Sequence, residues 1–240
     1  MTTNELLFGA LPYAAFLVLV VVTIARWRTQ EFTVSSLSSQ LLESRKLYWG
    51  SIPFHWGISL ILLGHLTALV IPEALELWNG TPLRLAVLEI TGLALALWAA
   101  FGIVVLIVRR LGTPRIRAVT RPMDLVVLAV IAVQIATGIW TAVAYRFGSV
   151  WGTAVMVPYV RSLIVFQPDP AYIEPLPVVV KAHVLAFWVF VAVFPFTRLV
   201  HIITLPFWYL WRPWQRVVRN SPTPAAFHPA VDRPMEKSHS

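Results

Sequence analysis

The sequence predicts an all-α protein, a five-helix transmembrane bundle, and three observations predict it. Apolar residues make up 58% of the 240-residue chain and charged residues 12%, with a mean hydropathy of +0.73. That leaves too little polar surface to cover a water-soluble globule, so a soluble enzyme is excluded. Five apolar stretches, 6–25, 52–71, 85–108, 125–144 and 182–205, each reach the roughly 20 residues a helix needs to cross a hydrocarbon core. Basic residues gather on alternate sides of those stretches: of 19 Lys and Arg, fourteen fall after the first stretch, after the third and in the tail. Positive-inside bias then places the N-terminus outside and the C-terminus in the cytoplasm. With no nucleic-acid motif behind it, the basic excess is a topology signal and no nucleic acid is expected as a partner.

The elements follow in order. Stretch 6–25 has no basic n-region, and Arg26 and Arg28 come after it, so it reads as a retained helix rather than a cleaved signal. The second carries Pro53 in its expected first turn, His55 and His65, and Gly50, Gly57 and Gly64 at seven-residue intervals. Such a stripe either clears space for a flat ring or serves small-residue helix packing. The third carries Glu89 in its membrane interior and is followed by Arg109, Arg110, Arg115, Arg117 and Arg121. The fourth places Gln134, Thr137, Gly138 and Thr141 at i, i+3, i+4 and i+7, a polar face directed into the bundle. An apolar patch at 150–166 is too interrupted to span and is expected at the membrane surface or over the helices. The fifth carries His183, Arg198 and His201, with Pro195 as an expected kink. Pro72, Pro82, Pro122, Pro168, Pro170, Pro175 and Pro177 read as loop residues. The domain reading is a membrane domain over 1–211 and a cytoplasmic tail over 212–240, mobile or ordered only by a partner.

Four of the six histidines lie in the second and fifth helices. Ionisable groups inside a bilayer are costly and usually functional. Antiparallel helices set His55 level with His201, and His65 level with His183. An imidazole from each of two facing helices, at two depths, suits bis-histidine b-type haem. At a 1.5 Å rise, His55 and His65 are roughly 15 Å apart along the axis and His183 and His201 roughly 27 Å, a mismatch for tilt and the kink to absorb. Eighteen residues make about five turns, which puts His183 and His201 on one face of an unbroken helix. Arg198, one turn before His201, is a candidate partner for haem propionates, or an interfacial anchor. Zinc catalysis would need three close ligands and an open position, which this spacing does not offer. The absence of Cys excludes disulfides, thiolate iron–sulfur ligation and covalent haem attachment in this chain.

The segments F-H-W-G-I-S-L-I-L-L-G-H at 54–65, R-R-L-G-T-P-R-I-R-A at 109–118 and H-V-L-A-F-W-V-F-V-A-V-F-P-F-T-R-L-V-H-I at 183–202 resemble the γ subunit, a cytochrome b, of membrane-bound respiratory nitrate reductase. The likeness covers about residues 5–210. It implies two haems b, with His55 and His201 on the inner and His65 and His183 on the outer one. It implies that quinol is oxidised near the outer haem, its protons leaving outside. Electrons then cross to a cytoplasmic iron–sulfur subunit that feeds a molybdenum catalytic subunit, which this chain anchors in the cell membrane. No complete nitrate site is expected in this chain. That soluble partner would dock on the basic inner face, 109–121 and the tail from Arg212.

Two departures stand out. The family's quinol site uses a Lys early in helix three, and this chain has none there. Arg84 and Glu89 are the nearest candidates, Arg84 to orient a quinol oxygen and Glu89 to accept a proton, with Gly64 leaving room for the ring. The Pro-rich tail has no counterpart. Alternative readings are a related cytochrome b serving a sulfite- or heterodisulfide-linked complex, or a non-redox membrane anchor or transporter.

Overall fold

The structure, a computed structural model, describes residues 2–29, 45–197 and 199. Among these the chain is helical, without strands. A π-helical turn, Glu5–Ala10, runs directly into α1 (Leu11–Thr29). There follow α2 (Arg45–Val70), the short α3 (Pro72–Asn79), α4 (Pro82–Gly112), the single turn α5 (Pro114–Arg117) and α6 (Pro122–Ala144). Next come α7 (Gly148–Ile164), a 3-10 turn at Pro170–Tyr172, and α8 (Val178–Val193), which passes into a second 3-10 turn at Phe194–Phe196.

Five of these helices are long and apolar enough to cross a membrane: Glu5–Thr29, Leu47–Val70, Pro82–Gly112, Pro122–Ala144 and Val178–Phe196. Large apolar side chains such as Phe16, Leu17, Val21, Leu63, Ile90, Phe101 and Trp140 point outward along them. Contiguous apolar surface on this scale is matched by lipid, not by water. The protein is a multi-pass membrane protein.

The spans pack in the order α2, α4, α6, α8, α1, each chiefly against its neighbours in that series. The α2–α4 contact is the closest, and glycine makes it so. A Cβ on Gly50 would meet Leu106 at 2.9 Å, one on Gly57 would meet the Leu95 carbonyl at 2.8 Å, and one on Gly102 would run into the Phe54 backbone. Two of the three stripe glycines therefore serve backbone approach between helices, the small-residue packing expected where lipid removes any hydrophobic drive. Phe54, Ala99, Ile103 and Ile135 fill the centre of this contact. Gly64 differs: nothing lies within 4 Å of a Cβ placed there.

Several expectations at helix boundaries are corrected. Pro72, Pro82 and Pro122 are not loop residues but the first residues of α3, α4 and α6, where the missing N–H costs nothing. Pro53 is not in a first turn, because α2 begins at Arg45; it lies in the helix interior and leaves the Trp49 carbonyl without its i+4 donor. The patch at 150–166 is helix α7, and it lies over the bundle. Its Tyr159 and Leu163 pack with Ile173 and Phe8 in a buried cluster. The Tyr159 hydroxyl donates to the Phe8 carbonyl (2.8 Å), and that of Tyr13 donates to the Leu163 carbonyl (2.9 Å). These bonds join α7 to the start of the first span.

The fifth span opens at Val178, and its regular helix stops at Val193. Pro195 sits in the 3-10 turn, and Thr197 after it is extended, at φ −96° and ψ 175°. The unbroken helix that the five-turn relation between His183 and His201 assumes is therefore interrupted, and His201 itself lies outside the described residues. Arg26 of α1 donates to the Pro195 (2.5 Å) and Thr197 (2.9 Å) carbonyls exposed by the break.

Candidate functional site

Three of the four intramembrane histidines are described. Arg198 and His201 lie outside the described residues, as does the tail 212–240. In α2, His55 Nδ1 is 2.7 Å from the Ser51 carbonyl and 3.0 Å from the Ser51 hydroxyl. One helical repeat of the same device recurs ten residues on, where His65 Nδ1 is 2.8 Å from the Ile61 carbonyl. In α8, His183 Nδ1 is 3.1 Å from the Gln134 carbonyl of α6 and 3.1 Å from the Thr137 hydroxyl. A carbonyl oxygen can only accept, so in each ring Nδ1 carries the proton and donates it. The lone pair of the neutral ring is then on Nε2.

An imidazole ligand to a metal needs one nitrogen tied to a backbone carbonyl and the other as electron-pair donor; His55 and His65 have this arrangement, whereas Nε2 of His183 is met by the Gln134 side-chain amide at 3.3 Å. The donor set therefore fits axial ligation of haem iron. Among the described residues no three His, Asp or Glu side chains gather into one cluster.

Depth can be read from the packing register. Gly50 meets Leu106 and Phe54 meets Gly102. Continuing that antiparallel register sets Gly64 and His65 level with about Gly92 and Thr91, about half a turn from Glu89. His55 lies ten residues earlier in α2. The polar face of α6 is directed at His183: Gln134, Thr137 and Gly138 all touch its ring, whereas the Thr141 hydroxyl is buried without a partner.

Glu89 is occupied. Its Oε1 accepts from the Ser149 N–H (2.9 Å) and the Ser149 hydroxyl (2.6 Å), at the opening turn of α7. A carboxylate suits the unpaired N–H groups and positive dipole end found there. The Asn79 amide also donates to Ser149, so α3, α4 and α7 meet at one serine. Arg84 is occupied too: it donates to the Leu77 carbonyl (3.2 Å) and to the Thr81 hydroxyl, with its guanidinium over the Trp78 ring. It closes the α3–α4 corner.

At the opposite end of the bundle, the basic loop divides. Arg109 is buried, and Arg110 pairs with Asp124 at 2.7 Å, whereas Arg115, Arg117 and Arg121 are exposed.

The sequence profile of the nitrate reductase gamma subunit family matches residues 4–220. The chain belongs to that family. It is 32% identical to the nitrate reductase gamma chain of Bacillus subtilis, across 88% of this chain and 96% of that one. It is 28% identical to the respiratory nitrate reductase 1 gamma chain of Escherichia coli, across 89% and 96% respectively. A nitrate reductase-like protein of Mycobacterium tuberculosis is 32% identical over 226 residues, 88% of this chain but 33% of that longer protein. Family membership agrees with the resemblance carried by 54–65, 109–118 and 183–202.

Sequence reasoning missed Ser149 and Asn79 around Glu89, Arg26 at the α8 break, and the anchoring of the histidine rings. One signal was available: Ser51 and Ile61 each precede a histidine by four residues, the spacing at which a side chain reaches back to a helix carbonyl.

Proposed function

We propose that this chain is the quinol-oxidising, di-haem b membrane subunit of a nitrate reductase. It lies with its N-terminus outside and its C-terminus in the cytoplasm, and its domains are 1–211 in the membrane and 212–240 in the cytoplasm. His65 and His183 are the ligands of the outer haem, and His55 and His201 those of the inner one, with Arg198 beside its propionates. Haem held by these imidazoles would supply reversible one-electron transfer. The observation that carries this reading is the common geometry of His55, His65 and His183, each holding Nδ1–H on a backbone carbonyl, which makes Nε2 the electron-pair donor of each ring.

The chain's own residues divide the remaining work. Quinol oxidation releases two electrons and two protons, so the site needs a proton acceptor near the electron exit. Glu89, about half a turn along α4 from the level of His65, takes that role, with Ser149 holding its carboxylate in place. Gly64 leaves the space for a ring beside His65. Arg84 supports the site by holding the α3–α4 corner. Electrons leave toward a cytoplasmic iron–sulfur subunit and a molybdenum catalytic subunit, which dock on the face bearing Arg115, Arg117 and Arg121. The charge asymmetry of the loops and the gamma-chain relatives support this orientation and these partners.

The test is reduction by a soluble quinol analogue in membranes carrying the complex, followed by the b-type absorbance. Reduction by quinol, reversed on adding nitrate, is expected. A chain that only dithionite reduces would contradict the quinol assignment.

A further inference from the structure

We infer that Thr137 of α6 is a positioning residue for His183, and that with the Gln134 backbone carbonyl its hydroxyl sets the ring's tautomer, plane and strength as an electron donor. This rests on the reading of His183 as a haem ligand and goes beyond it.

Thr137 is the informative residue. Its hydroxyl is 2.8 Å from the Val133 carbonyl and 3.1 Å from the Gln134 carbonyl, both of which can only accept. The hydroxyl proton is therefore committed to its own helix, and toward His183 the oxygen can only accept. Nδ1–H of His183 thus donates into two acceptors at once, the Thr137 oxygen and the Gln134 carbonyl, each at 3.1 Å. His55 and His65 are tied differently, to carbonyls of their own helix. Only His183, of the three, is oriented by a neighbouring helix.

Further contacts complete the cradle. The Gln134 side-chain amide lies 3.3 Å from Nε2, and its Oε1 is buried without a partner. A Cβ on Gly138 would stand 3.0 Å from the ring's Cε1, so the ring seats against bare backbone. Acceptors on Nδ1–H push electron density toward Nε2, and a more basic ligand favours the ferric state. Deleting one acceptor should raise the potential of the haem that His183 ligates.

The experiment is a potentiometric titration of both b-type signals in the purified complex, with haem counted per chain. Electron paramagnetic resonance reports ring orientation alongside. Thr137→Val is expected to shift one haem to higher potential and leave the other unchanged, with Thr137→Ser restoring the native value. Loss of that one haem in Thr137→Val, recovered in Thr137→Ser, supports the same role. Unchanged potentials and resonances in Thr137→Val, at full haem content, would overturn the proposal. So would loss of both haems that serine does not repair, since that marks a packing role. A wild-type complex without bis-histidine signals instead removes the underlying reading, and haem content tells the two failures apart.

Discussion

The imidazole of His183 rests on the backbone of Gly138: a Cβ added to that glycine would stand 3.0 Å from Cε1. Contacts this tight are relieved only if the ring gives by a few tenths of an ångström. Gly138→Ala should keep the fold and weaken retention of one haem, and Gly138→Leu should abolish it, both read as haem per chain. Overpacking of this kind costs about 1–3 kcal/mol. Full haem content in the leucine variant would place His183 elsewhere.

The depth assignment separates the histidines into pairs. Single substitution of His65 or His183 should block reduction by quinol outright. Substitution of His55 or His201 should remove the inner haem and leave the outer one reducible. Stopped-flow reduction of the b band distinguishes these outcomes. Four variants with one phenotype would leave the pairing without support, once folding is checked by circular dichroism.

Glu89 and Ser149 allow proton acceptance to be split from architecture. Glu89→Gln keeps an oxygen for the Ser149 N–H and hydroxyl but cannot take a proton at neutral pH. It should retain both haems and slow reduction by a quinol analogue. Glu89→Ala leaves the opening turn of α7 unpartnered and should cost about 1–3 kcal/mol of stability as well. If Gln is silent while Gly64→Leu stops quinol oxidation, the pocket is right and the acceptor is another group.

How far the sequence carried the fold depends on which partner each residue met. Apolar length located all five spans, because crossing lipid imposes it on one helix at a time. The helix starts at Pro72, Pro82 and Pro122 were legible in principle from proline's preference for the first turn. Gly50, Gly57 and Gly64 looked alike in sequence, yet the first two face α4 and the third faces nothing within 4 Å, since a heptad does not say where the neighbouring helix diverges. The engagement of Glu89 by Ser149 joins residues 60 apart in the chain, and no local pattern encodes it.

Tyr159 offers a stability test with a defined pH window. Its phenol is buried and bonded to the Phe8 carbonyl, and burial pushes it from its ordinary 10.0 up to about 12. An unfolded chain would release this proton near pH 10, while the folded chain keeps it until about 12. The stabilising contribution is therefore complete below pH 10 and is lost as pH rises through 12. Tyr159→Phe should cost about 1–3 kcal/mol below that window, through the unpartnered Phe8 carbonyl. The gap between the two proteins should close across it, in thermal unfolding followed in detergent. A gap unaffected by alkaline pH would contradict the assignment.

Two haems b held by the histidines of α2 and the fifth span are counted in the purified complex, as haem per chain, from the reduced-minus-oxidised spectrum against protein content. Two low-spin b-type haems are expected for each copy of this chain. One haem per chain, or no b-type signal, would contradict that assignment.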